Sequence, residues 1–238
     1  MKCKYTKQKP LRVFTAFSGY DSQCMALDRI GIPYELVGWS EIDKYAIQAH
    51  NAVYPQYAER NYGDISQIDW EQVPDFDLFT YSFPCTDISN AGAQKGLEDG
   101  SGTRSSLLWE CCKAIEAKKP KYLLMENVKA LVSKKFLPFY NKWEQYLAEM
   151  GYENFGKVVN ATECGVPQNR ERIFMVSIRR DDDEEQINFR FPAPFPLERK
   201  LKDVLEPQVD DKYVLSDKSI EGFLAHNENH EEKGTGFI

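Results

Sequence analysis

Short β-rich runs alternate with longer amphipathic runs along most of this chain, and that alternation constrains the fold more than any other feature. Residues 11–17 read as a strand and 21–30 as a helix, with Asp21 or Ser22 as its N-cap. Residues 34–40 read as a second strand and 44–54 as a second helix. A short apolar strand is expected over 77–82, behind a turn at Pro74. A helix is expected over 105–118, with Leu108, Cys112 and Ile115 at helical spacing, then a strand over 122–125. Residues 136–150 read as a helix stopped by Gly151, followed by strands over 156–160 and 172–178. Strands alternating with helices imply crossover units, hence an α/β fold with a mostly parallel sheet and helices on both faces. Such sheets bind ligands outside the carboxyl ends of their strands. Chemistry is therefore expected in the loops that follow each strand.

The pattern changes after Arg179. Residues 181–185 form a solvated acidic run, 191–196 are rich in Pro and Phe and extended, and the chain from Asp210 on is mostly polar. This suggests one unit over residues 1–180 and a second segment over 181–238. His226 and His230 are spaced i, i+4, but no Cys or third His lies near, so they read as a solvated tail and not as a metal site.

Composition sets outer bounds. With 238 residues, 42% of them hydrophobic, the chain can build one domain with a sizeable core. No run of about eighteen apolar residues is present, so no membrane span is expected. The polar, basic stretch from Met1 to Pro10 lacks the apolar segment of a secretory signal. The six cysteines, Cys3, Cys24, Cys85, Cys111, Cys112 and Cys164, include no C-x-x-C pair. They suggest neither a zinc site nor a disulfide framework, and a reducing, cytoplasmic compartment is the simple reading. The formal net charge of −7 opposes general phosphate contact, so any nucleic-acid binding must come from a local basic patch.

Six strand-end sites carry candidate chemistry. Phe17-Ser18-Gly19-Tyr20 joins the first strand to its helix, where small residues and a helix N-terminus admit a ligand or simply make a turn. Glu41-Ile42-Asp43 ends the second strand; a carboxylate there either accepts both ribose hydroxyls of a nucleoside or caps the next helix. Asp64, in Gly63-Asp64-Ile65, either accepts from an adenine amino group or caps a turn. Together the three suggest an adenosine-containing cofactor. Phe83-Pro84-Cys85 follows the third strand, and Cys85 opens a glycine-rich loop, 86–104, of the kind that acts as a lid. The other cysteines read as buried and inert. Glu126-Asn127-Val128 follows an apolar strand, so Glu126 either has a raised pKa in a partly dry place or caps a turn. Gln168-Asn169-Arg170-Glu171-Arg172 puts two guanidiniums on one side of an extended segment, able to hold a phosphate and a base carbonyl or to form a surface salt bridge.

In this order, these motifs resemble the DNA C5-cytosine methyltransferase family. The resemblance covers about residues 11–178 and includes Gln94-Lys95-Gly96-Leu97-Glu98-Asp99 and Gly102-Thr103-Arg104 in the loop after Cys85. It implies a Rossmann-like fold that binds S-adenosyl-L-methionine and acts on double-stranded DNA. Cys85 is then the nucleophile toward cytosine C6, and Glu126 the acid at N3. Arg170 favours the thiolate, and Arg172 contacts O2. The cofactor falls to Phe17, Ser18, Gly19, Tyr20, Glu41, Ile42, Asp64, Ile65 and Pro84. Phe83, Asn127 and Gln168 serve the substrate side, with Asn127 orienting the Pro-Cys turn. Three departures stand out: Tyr20-Asp21-Ser22 replaces residues that are commonly glycine, Thr86 replaces a Gln, and no Asn-Ser pair occurs after Asn90. The last implies that most of the target-recognition region, and a segment that packs back on the cofactor domain, are supplied beyond residue 238 or by a second chain. A non-catalytic cofactor-binding subunit and a tRNA cytosine-5 methyltransferase are the alternatives that the motifs leave open.

Overall fold

The computed structural model describes residues 4–84, 104–180 and 187–231. Its core is a six-stranded sheet: β1 (Leu11–Ala16), β2 (Tyr34–Ser40), β3 (Leu78–Tyr81), β4 (Tyr122–Val128), β5 (Tyr152–Asn160) and β6 (Glu171–Arg179). The strand order is β2-β1-β3-β4-β6-β5. β2, β1, β3 and β4 pair in parallel, and β6 runs antiparallel to both β4 and β5. The sheet is thus mostly parallel, as expected, but its last two strands form an antiparallel pair. Because β1 sends its successors to opposite sides, a crevice opens beyond the carboxyl ends of β1 and β3.

Residue chemistry explains the layering. β1 alternates Val13 and Thr15 on one face with Phe14 and Ala16 on the other, and all four are buried, as in a strand covered on both sides. On the first face α1 (Ser22–Ile30) and α2 (Lys44–Val53) enclose Leu11, Val13, Cys24, Leu36 and Trp39. On the second, α3 (Glu110–Lys118) and α4 (Leu137–Glu149) enclose the larger cluster around Phe14, Phe79, Tyr81, Ile115, Met125 and Trp143. In α4, Tyr140, Trp143 and Leu147 repeat at helical spacing and are buried together. Gly151 ends that helix at φ +88°.

Three expected features differ in the structure. The strand expected over 156–160 already begins at Tyr152, directly after Gly151. The run expected as one helix from Ser105 begins as a 3-10 turn, Arg104–Trp109, and becomes α-helical only at Glu110. The polar tail contains a further helix, α5 (Asp217–Glu231), on which Ile220, Phe223 and Leu224 are exposed. Polar composition hid it, because only these apolar positions follow a helical stripe.

Contacts define two compact units, Met1–Pro196 and Leu197–Ile238. Residues 187–196 belong to the first: Phe189 packs on Phe155 with ring centroids 5.2 Å apart, and Phe195 pairs with Cys164. In the second unit, Leu201, Leu205, Tyr213 and Val214 are all exposed. Among the described residues no helix is long and apolar enough to cross a membrane.

Candidate active site

The ends of β1 to β5 and the start of β6 converge at one edge of the sheet. The antiparallel direction of β6 matters here. A parallel strand would place its first residues at the opposite edge, whereas β6 sets Arg172 directly opposite Val128, the last residue of β4. Glu126 lies two residues before Val128, on the same face, so Glu126 and Arg172 form a diagonal cross-strand pair. Arg172 Nε stands 3.1 Å from Glu126 Oε1.

Burial raises the Glu126 carboxyl above its ordinary range, against the lowering pull of Arg172 and Arg170 and of a hydrogen bond from Ser82. Desolvation therefore outweighs two guanidiniums, and the neutral acid is favoured more than in water. Behind this pair, the buried Asn127 donates from Nδ2 to the Phe83 carbonyl at 3.0 Å and accepts from the Val128 N–H at 2.8 Å. That bridge ties the end of β4 to the segment leading into Pro84. Phe83 itself is buried, with its ring in the core. Cys85 and the loop 86–103 lie outside the described residues.

The first loop is strained. Phe17, Gly19 and Asp21 take φ of +55°, +56° and +65°. A bulky aromatic residue rarely adopts that region, at a cost on the order of 1–3 kcal/mol, and such residues cluster at ligand sites. Gly19 donates its N–H to Glu41 Oε2 at 3.0 Å, joining the ends of β1 and β2. Glu41 Oε1 also accepts from the N–H groups of Ile42 (2.8 Å) and Asp43 (2.9 Å). Asp43, not Glu41, caps α2, accepting from Tyr45 and Ala46. Asp64 caps its own turn through Oδ1, which accepts from the N–H and the hydroxyl of Ser66.

Two cavities meet across Phe17 and Ser82, which line both. One, of about 550 Å³, is bordered by Glu41, Ile42, Asp64, Ile65, Pro84 and Leu107. Ile42 is 70% exposed there, an apolar surface on which a planar base can lie. The other, of about 800 Å³, runs from Ser18, Gly19 and Tyr20 to Glu126, Arg170 and Arg172. Ser18 borders it with a buried hydroxyl that has no partner among the described residues. A nucleoside cofactor fits this arrangement: a fixed carboxylate for hydroxyls, an apolar shelf, a second carboxylate at Asp64 and an unused hydroxyl. A third groove, of about 750 Å³, holds Gln168, Arg170, Arg172, Lys129 and Ser133. There Lys129 Nζ pairs with Glu171 at 2.8 Å, so Glu171 faces away from Glu126. The sequence-predicted residues outside 85–103 thus gather at these cavities, apart from the buried Phe83 ring and the buried Asn127 side chain. Reading the sequence missed Ser82, whose hydroxyl at the end of β3 is a signal of the same kind as the other strand ends.

The family described as C-5 cytosine-specific DNA methylase matches residues 11–238. The type II methyltransferase M2.ScrFI of Lactococcus lactis subsp. cremoris is 40% identical over 88% of this chain and 71% of its own length. The orphan methyltransferase M.Rho11sI of Bacillus phage rho11s is 35% identical over 96% of this chain, which spans 50% of that protein. Among solved structures, the S. pombe Dnmt2 methyltransferase aligns over 91% of this chain and 66% of its own, with a TM-score of 0.67 at 19% identity. The Entamoeba histolytica methyltransferase EhMeth aligns over 90% of this chain and 65% of its own, with a TM-score of 0.70 at 20% identity. At such identities the structural matches support a Rossmann-like methyltransferase fold, while the family match and the close relatives establish kinship: this chain belongs to the C-5 cytosine-specific DNA methylase family.

Proposed function

We propose that this chain transfers a methyl group from S-adenosyl-L-methionine to C5 of cytosine in double-stranded DNA, with Cys85 as nucleophile. The observation that carries the reading is the meeting of the two cavities at Phe17 and Ser82, with the partly buried Glu126–Arg172 pair in one and Glu41 and Asp64 in the other. When bound, S-adenosylmethionine supplies a methyl on a positively charged sulfur. Glu41 would accept the ribose hydroxyls, Asp64 Oδ2 the adenine amino group, and Ile42 would cover the base. Phe17, Ser18, Gly19, Tyr20, Ile65 and Pro84 complete that side.

On the substrate side, the target base must leave the helix, at a cost of a few kcal/mol. Glu126, whose carboxyl is raised above its ordinary range by burial, would donate a proton to N3, and Arg172 would hold O2. This draws electrons from the ring, so the Cys85 thiolate bonds to C6 and the C5–C6 π pair becomes available at C5. C5 would take the methyl and release S-adenosylhomocysteine; a base would remove the C5 proton, the restored double bond would expel the thiolate, and N3 would return its proton to Glu126. A free thiol titrates near ~8.5, and a guanidinium such as that of Arg170 would favour the reactive form. An acid placed like Glu126 typically gives about 10²–10⁴ in rate. Asn127 would hold the Phe83-Pro84 turn, and Gln168, Lys129 and Arg170 would meet the DNA.

We further propose that target recognition comes from a C-terminal region of a longer chain or from a second chain. Two observations support this. The face of β4, β5 and β6 bordering the larger cavity is only half covered, leaving Leu124, Val159 and Phe174 beside Ile30 of α1. The apolar residues of the second unit are exposed as well. Among the described residues, Cys24, Cys111, Cys112 and Cys164 form no disulfide, which favours a reducing, cytoplasmic setting. The decisive assay measures labelled methyl transfer to duplex DNA and to tRNA, with and without a C-terminal fragment of a relative. Transfer to DNA supports the reading; transfer only to tRNA selects the tRNA branch; cofactor binding without transfer in any combination selects a non-catalytic subunit.

A further inference from the structure

Asp21 stands at the N-cap position of α1 but makes no side-chain cap hydrogen bond. It occupies a position with φ +65° that glycine would adopt without strain, and where the family resemblance led us to expect glycine. Its neighbours Gly19, Tyr20 and Ser22 line the larger cavity, yet Asp21 itself is fully buried. Its carboxylate turns inward. Oδ2 accepts from the Thr15 hydroxyl of β1 at 3.0 Å and from Nε2 of His50 at 3.0 Å. His50 is also fully buried, on α2, with its ring stacked on Trp39 of β2 at 3.7 Å between centroids. Since a carboxylate only accepts, Nε2 carries the proton that bridges the two.

We infer that Asp21 and His50 form a buried clasp that positions the cofactor loop. The loop over residues 17–21 is then held from two sides. On the open side Gly19 is bonded to Glu41, at the turn that starts α2; on the buried side Asp21 is bonded to the body of the same helix. One rigid element, α2, therefore sets the loop against the Glu41 carboxylate. Holding Phe17 and Asp21 in the left-handed region requires such support, because the surrounding structure must over-determine a strained backbone. Asp21 backbone bonds fit this: its N–H donates to the Ser18 carbonyl at 2.8 Å, and its carbonyl accepts from Met25 at 3.1 Å. Asp21 and His50 touch neither cavity, so they are positioning residues. The inference rests on the cofactor assignment proposed above.

The test measures S-adenosylhomocysteine binding by calorimetry, and thermal unfolding, for the full chain and its variants. Asp21→Gly keeps the backbone conformation without strain and removes the clasp; His50→Phe keeps the stack on Trp39 and removes the bond. Each should raise Kd at least about tenfold, about 1.4 kcal/mol. The double variant should be no weaker than the weaker single variant, because the pair acts as a unit. His50→Gln, which restores an N–H donor, should recover most of the affinity. Loss of melting temperature with an unchanged Kd in Asp21→Gly or in His50→Phe would overturn the clasp and leave a merely structural pair. Failure of the unsubstituted chain to bind would instead overturn the cofactor assignment, and the clasp with it.

Discussion

At the scale of single residues, the site depends on where charge is kept dry. Glu41 is held by three backbone N–H groups and presents a fixed carboxylate. Replacing it with Ala should weaken S-adenosylhomocysteine binding by about 1.5–3 kcal/mol, the worth of a hydrogen bond to a charged group. An unchanged dissociation constant would refute the ribose assignment. Glu126 is the opposite case: burial raises its pKa, so the folded protein takes up its proton at higher pH than the unfolded chain does. The stabilisation is complete below the ordinary carboxylate pKa and is lost as pH rises through the folded value. Wild type should therefore gain stability relative to Glu126→Gln as pH falls from about 7 to about 4, read as a rising urea midpoint. A difference independent of pH would show that Glu126 titrates normally. These residues were legible because strand-end carboxylates and guanidiniums are sparse and their order is informative. Asp21 and His50 were not. Nothing in local pattern says that an aspartate at a helix start turns inward toward a histidine twenty-nine positions on.

At the scale of elements, alternation located the six strands and first four helices of the described residues, with bounds up to five residues off, because a half-buried sheet and amphipathic crossovers leave strong periodic signals. It did not give the direction of β6, since strand polarity depends on pairing and not on the pattern within a strand. Yet that direction delivers Arg172 to Glu126. Nor did the sequence reveal the register shift between Val13 and Phe14 against β2. There Gly38 lies under the rings of Phe14 and Tyr62, and a Cβ would meet both at 2.7 Å. Gly38→Ala should lower stability by about 1–3 kcal/mol in urea unfolding, the usual range for overpacking. An unaltered midpoint would mean that the two rings have room to move.

At the scale of the whole molecule, the proposed function requires a chain of net charge −7 to meet DNA through a patch. Lys129, Arg170 and Arg172 line one groove, with Lys134 and Lys135 close in sequence. Affinity for duplex DNA should fall as salt rises from about 50 to about 200 mM, as counterion release requires. Binding indifferent to salt would show that the patch does not meet phosphates. The central claim, that one sulfur bonds reversibly to the target ring, has a direct test. Duplex DNA carrying 5-fluorocytosine at target cytosines is incubated with S-adenosylmethionine and this chain, supplemented with the C-terminal fragment of a relative, and the products are mapped by mass spectrometry. The fluorine blocks the last elimination, so a permanent adduct on Cys85 is predicted, absent in Cys85→Ala, which should still bind the cofactor. An adduct on another residue, or methylation of ordinary DNA by Cys85→Ala, would contradict it.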